Sequence, residues 1–137
     1  MTANDQTPLV PVSWGELIDK ITILEIKSGR ITAAAALQNI RTELSQLQAI
    51  AADVLARDER VRAAKQALKE LNQTLWEVED RLRARERDQK FDEAFVELAR
   101  SVYRTNDQRS AKKREINLLT GSRLVEEKQY TAYDRRD

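Results

Sequence analysis

Neither cysteine nor histidine occurs in these 137 residues. Without cysteine there are no disulfides, no thiolate nucleophile and no cysteine-based zinc or iron–sulfur centre. Without histidine the usual general base, the Ser–His pair and imidazole metal ligands are also excluded. Any bound metal would be a hard cation such as magnesium or manganese, held by carboxylates. Only 3 Gly and 2 Pro are present, and aromatic residues make up 5%. That scarcity of turn formers, with 41% hydrophobic and 34% charged residues, argues for long helices. No stretch holds 18 apolar residues, and no basic segment followed by an apolar run opens the chain. The expectation is a cytoplasmic protein with no membrane contact. The formal net charge of +1 provides no overall pull toward nucleic acid or anionic lipid.

What is present is amphipathic periodicity. Residues 1–12 read as an extended N-terminal tail, with Pro8 and Pro11 blocking helix just before Ser13. Ser13 and Glu16 fit a capping box, opening a first helix that should stop near Ser28, with Gly29 as the C-terminal signal. Leu17, Ile18, Ile21 and Leu24 line one side of it, and Ile23 and Ile26 another, so it should be the central element. A second helix is expected over roughly 32–56, with a 3,4-spaced seam from Leu37 to Val54. After a break at Asp58, a third should run to about Arg87, with a seam from Val61 to Leu82. The one-step register difference between these seams favours a coiled-coil-like antiparallel hairpin over one continuous rod. Asp92 can cap a fourth helix over 91–119, with Phe91 and Val96 as a hydrophobic staple and Gly121 as its stop. The expected architecture is all-α: one bundle of four main helices over 13–122. Residues 123–137 should follow as a short helix or docked tail.

The fourth helix carries an anomaly. Phe91, Phe95, Leu98, Val102 and Ile116 share one face, but Asn106, Arg109 and Lys113 occupy that face between Val102 and Ile116. At about 100° per residue, all three lie within roughly 40° of the centre of the apolar stripe. A bundle core accepts such charges only with acidic partners or a bound anion. Glu25, on the Ile18/Ile21 side of the first helix, and Glu79, flanked by Trp76 and Arg83 on the third, are the expected neighbours.

Two readings follow for the cluster Glu25, Trp76, Glu79, Asn106, Arg109 and Lys113. In one, Glu25 and Glu79 pair with Arg109 and Lys113 and lock the helix register. In the other, Arg109, Lys113 and Asn106 hold a phosphate or carboxylate, for which a guanidinium is suited. Catalytic residues are not assignable from the sequence.

Glu16 with Asp19, and Glu77 with Asp80, form E-x-x-D pairs, weak candidates for a divalent cation. The spacing resembles the acidic helices of all-α nucleotide pyrophosphohydrolases, but it is frequent in any chain this charged. No cofactor is expected beyond that cation. The basic run Arg104 to Arg114 places Arg109 and Lys113 inward, leaving too few outward charges for nucleic acid. Trp14 and Trp76 read as core or interface anchors.

Longer motifs carry a resemblance. The stretch from Ser13 through Lys27, the segment Leu75-Trp76-Glu77-Val78-Glu79-Asp80 and the run Ala99 to Arg109, continuing through Lys113 to Asn117, resemble an uncharacterised bacterial family, as does Val125 to Tyr130. The resemblance implies a small bacterial helical domain, sometimes associated with glycosyltransferase-type or polysaccharide genes. It carries no functional residues over.

The leading functional expectation is a non-catalytic protein-interaction or small anionic-ligand-binding module, self-associating most simply as a homodimer or joined to a partner protein. The alternative is an all-α enzyme acting on a phosphorylated or carboxylated metabolite, by an architectural analogy with chorismate-mutase-like bundles.

Overall fold

The computed structural model describes residues 6–134; the outermost parts of the two expected tails, 1–5 and 135–137, lie outside the described residues. The described residues form four helices: α1 (Trp14–Arg30), α2 (Ala34–Arg57), α3 (Glu59–Arg87) and α4 (Glu93–Thr120). Among the described residues there is no strand, so the architecture is an all-α bundle.

Local chemistry accounts for most of the helix ends. Ser13 Oγ accepts from the Glu16 N–H at 3.1 Å, and Asp58 and Asp92 cap α3 and α4 through the N–H groups of Arg60 and Phe95. Gly121 closes α4 in the left-handed region, at φ 64°, where a Cβ would be strained. The first helix departs from expectation. Gly29 remains helical and α1 continues to Arg30, ending where Ile31 turns extended. A glycine permits a stop without imposing one.

Helix α1 is central and packs against all three others. Ile18 and Ile21 are fully buried; the first meets Val61, Ala64, Leu68 and Ile116, the second Leu17 and Ala51. The expected pairing of the second and third helices is corrected. The long antiparallel hairpin is formed by α3 and α4, joined through residues 88–92, whereas α2 meets α3 least of the packed pairs. One extended residue, Asp58 (φ −131°, ψ 109°), separates α2 from α3. It turns the chain so that α2 lies on α1, while Val54 and Leu55 in its final turn reach the α3 core. The α2 seam is therefore satisfied mainly by α1, and the α3 seam by α4 and α1, rather than by each other.

Where α1 begins, it approaches α4 very closely. A Cβ at Gly15 would collide with the Lys113 carbonyl oxygen and stand 2.9 Å from Asn117 Oδ1. Only glycine allows this crossing.

Over residues 122–134 the chain is non-helical and folds back over α4. Ser122 Oγ accepts from the Trp14 N–H at 3.3 Å, and Glu126 and Glu127 pair with Lys113 and Arg114, each at 3.1 Å. Tyr133 lies against Tyr103, their ring centroids 4.8 Å apart.

Candidate functional site

The polar stripe of α4 meets a carboxylate on α1. Asp19 is 1% exposed. Its Oδ1 accepts from Arg109 Nε at 3.0 Å and from Asn72 Nδ2 at 2.9 Å, and its Oδ2 takes a short hydrogen bond from Arg109 Nη2. This is the two-pronged carboxylate–guanidinium geometry that fixes orientation as well as charge. Asn72 also donates to Thr22 Oγ1 at 2.9 Å, and Thr22 donates to the Asp19 carbonyl at 2.7 Å.

Lys113 is surrounded by carboxylates. Its Nζ donates to Glu16 Oε2 at 2.6 Å and lies 3.1 Å from Glu126 and 3.7 Å from Asp19. Burial alone would lower the pKa of Lys113, but its hydrogen bonds to Glu16 and Glu126 and the Asp19 charge outweigh it and raise the pKa. Burial likewise opposes the Arg109 charge, and the hydrogen bonds and charge of Asp19 overcome it. Glu126 is held below the ordinary carboxylate range, chiefly by its hydrogen bond with Lys113. The network spans α1, α3, α4 and the C-terminal segment.

The partners differ from those expected. Glu25 faces α3, where it pairs with Lys65 at 3.2 Å and Lys69 at 3.7 Å, and it makes no pair with Arg109 or Lys113. Glu79 is exposed and likewise pairs with neither, since its turn of α3 lies beyond the Asp19 contact. The carboxylate that does the pairing is Asp19, together with Glu16. Their E-x-x-D spacing places both on Lys113, and Arg109 also holds Asp19. Among the described residues no group of three or more carboxylates is arranged to hold a metal ion. Glu77 is exposed and pairs with Arg30 at 3.5 Å. The capping box is half formed, because the Glu16 carboxylate is directed to Lys113.

A signal for Asp19 existed. It precedes Ile23 by four residues and Ile26 by seven, on the second apolar stripe of α1. Asn72 interrupts the α3 seam four residues after Leu68 in the same way. Asn117, whose Oδ1 accepts from the Gly15 N–H at 2.7 Å, adjoins Ile116 and carried no such mark.

Three of the expected residues border one groove. Trp76, Glu79 and Arg109, with Asn72, surround a cleft of about 370 Å³ floored by Ile23, Ile26 and Leu75. Lys27, Arg83 and Asp80 complete its rim, and Lys27 and Arg83 have no ion-pair partner among the described residues. The Arg30 guanidinium sits 5.5 Å from the centre of the Trp76 ring. Arg109 engages Asp19 through Nε and Nη2, and its Nη1 has no hydrogen-bond partner among the described residues. Asn106 lies elsewhere, in a larger concavity of about 900 Å³ with Tyr103, Tyr130 and Tyr133, which Arg109 also borders.

Fold and site together define a four-helix bundle tied across its interior by a carboxylate–guanidinium–ammonium network. Residues 9–134 match the family of unknown function DUF6165, and the chain belongs to that family. No curated protein and no solved structure matches it.

Proposed function

We propose that this protein is a non-catalytic binding module that receives a small anionic ligand in the groove bounded by Trp76, Arg83 and Arg109. The observation that carries this reading is the state of Arg109. Asp19 holds the guanidinium in one orientation, while its third nitrogen is unpaired beside an apolar-floored cleft. A preoriented guanidinium loses little entropy on binding a carboxylate or phosphate. Lys27 and Arg83 add positive charge at the rim. Glu79 and Asp80 supply acceptors for hydroxyl or amine donors on the same ligand.

Lys113 has a different part in this reading. With three carboxylates around its ammonium, it serves the fold, which does not favour the enzyme alternative built on Arg109 and Lys113 together. The test is a thermal-shift and calorimetric series over inorganic phosphate, carboxylates, sugar nucleotides and divalent cations. A phosphate- or carboxylate-bearing compound is expected to raise the melting temperature, and Arg83→Ala and Trp76→Ala should each abolish the rise. Silence across the whole series would leave the network a purely structural lock and overturn the proposal.

A further inference from the structure

Among the described residues, no helix of the chain covers the outer half of the α3–α4 hairpin. At about 1.5 Å per residue, α1 is roughly 25 Å long and α3 roughly 43 Å. Helix α1 ends beside Trp76 and Glu77, which Arg30 touches. Past that point, the grooves on both sides of the hairpin are lined only by α3, the 88–92 connection and α4. One of them, about 400 Å³, is floored by Leu82, Phe95, Ala99 and Val102. Phe91, 54% exposed, extends this floor by packing edge-on against Phe95 with ring centroids 5.3 Å apart. A two-helix hairpin with an open apolar face has buried too little to be stable by itself.

We infer that this face, with Leu82, Phe95 and Val102 at its centre and Phe91 at its tip, is a self-association surface whose occupant is a second copy of the chain. Two hairpins packed through it complete a four-helix bundle. Charge supports a two-fold, antiparallel arrangement. On this face Glu79, Arg83 and Glu86 have no ion-pair partner among the described residues, whereas Arg85 and Arg87 already pair with Asp92 and Asp88, and Glu97 with Arg100 and Arg104. A two-fold axis sets Arg83 of one copy against Glu79 or Glu86 of the other. Area supports it as well. A compact 15.8 kDa monomer should expose about 7,300 Å², and this chain exposes 10048 Å². The extended terminal segments account for part of that excess, and a standard interface needs only about 800 Å² from each copy. The surface borders the ligand groove at Glu79 and Arg83 but does not rest on the ligand proposal.

Light scattering on the purified chain without ligand, at micromolar to sub-millimolar concentration, tests this directly. The expected mass is twice 15.8 kDa. Phe95→Glu and Leu82→Glu should weaken association at least about tenfold, while Phe95→Leu retains it. Phe91→Glu, at an exposed position that the fold does not need, should weaken association with unchanged helical circular dichroism. A wild-type monomer across that range, or a dimer that survives both Phe91→Glu and Phe95→Glu, would overturn the inference.

Discussion

Asn117 Oδ1 holds the Gly15 N–H at 2.7 Å, joining the first turn of α1 to the last turns of α4 across a contact with no room for a side chain. This contact sets the α1–α4 crossing and so determines which residues of the two helices face each other four and eight positions further on. Gly15→Ala should therefore force the helices apart and destabilise by about 1–3 kcal/mol, as overpacking does. Urea denaturation measures it, and an unchanged midpoint would mean that the approach is looser than the geometry indicates.

Asp19 should be the most sensitive charged position. Asp19→Ala leaves Arg109 unpaired and removes one carboxylate from Lys113, at a cost of about 3–5 kcal/mol. Replacing Asp19, Arg109 and Lys113 together by Leu, Met and Met should recover much of that loss, because an apolar set needs no compensation. Equilibrium unfolding of the single and triple variants decides it. A triple variant no more stable than Asp19→Ala would show that the network contributes more than mutual neutralisation.

Glu25 provides the contrast. Its pairs with Lys65 and Lys69 are 3.2 and 3.7 Å long and partly solvated, and Oε1 accepts no hydrogen bond. Glu25→Gln should change stability by less than about 1 kcal/mol. The same denaturation assay reads it, and a loss as large as that of Asp19→Ala would reverse the ranking of the two sites.

The C-terminal segment should detach in acid. The pKa of Glu126 is lowered on folding, so its stabilising contribution is present above the ordinary value of 4.5 and is lost as pH falls through the lower folded value. Lys113 has the opposite sign. Its raised pKa contributes fully below 10.5 and is lost above it, as pH rises through the folded value. Limited proteolysis of residues 122–134 should accelerate below about pH 4.5 while the helices persist. Glu126→Gln should be cleaved at the fast rate already at neutral pH. Equal rates for that variant and the wild type at neutral pH would show that Arg114–Glu127 and the Tyr103–Tyr133 contact hold the segment unaided.

The chain's helices and their caps were written locally. Ser13, Asp58, Asp92 and Gly121 each act through atoms within a few residues, so spacing and side-chain type suffice to locate them. The inward aim of Arg109 and Lys113 was equally legible, since 3.6-residue periodicity places them on the stripe of Phe95, Val102 and Ile116. Their demand for negative charge followed from the cost of burying a cation.

Which carboxylate answers that demand was a matter of tertiary structure. Glu25 and Asp19 sit on the same short helix, six residues apart, and periodicity within α1 does not say which turn of α4 lies opposite. The close approach at Gly15 decides it, and places Asp19 against Arg109 while Glu25 meets Lys65 and Lys69. The seams of α2 and α3 show the same limit. Each announces that it will be buried, but a hydrophobic stripe names no partner, and the single extended residue Asp58 sends them to different neighbours. What a helix buries is a property of its own sequence. What it buries it against depends on the crossing of helices distant in that sequence.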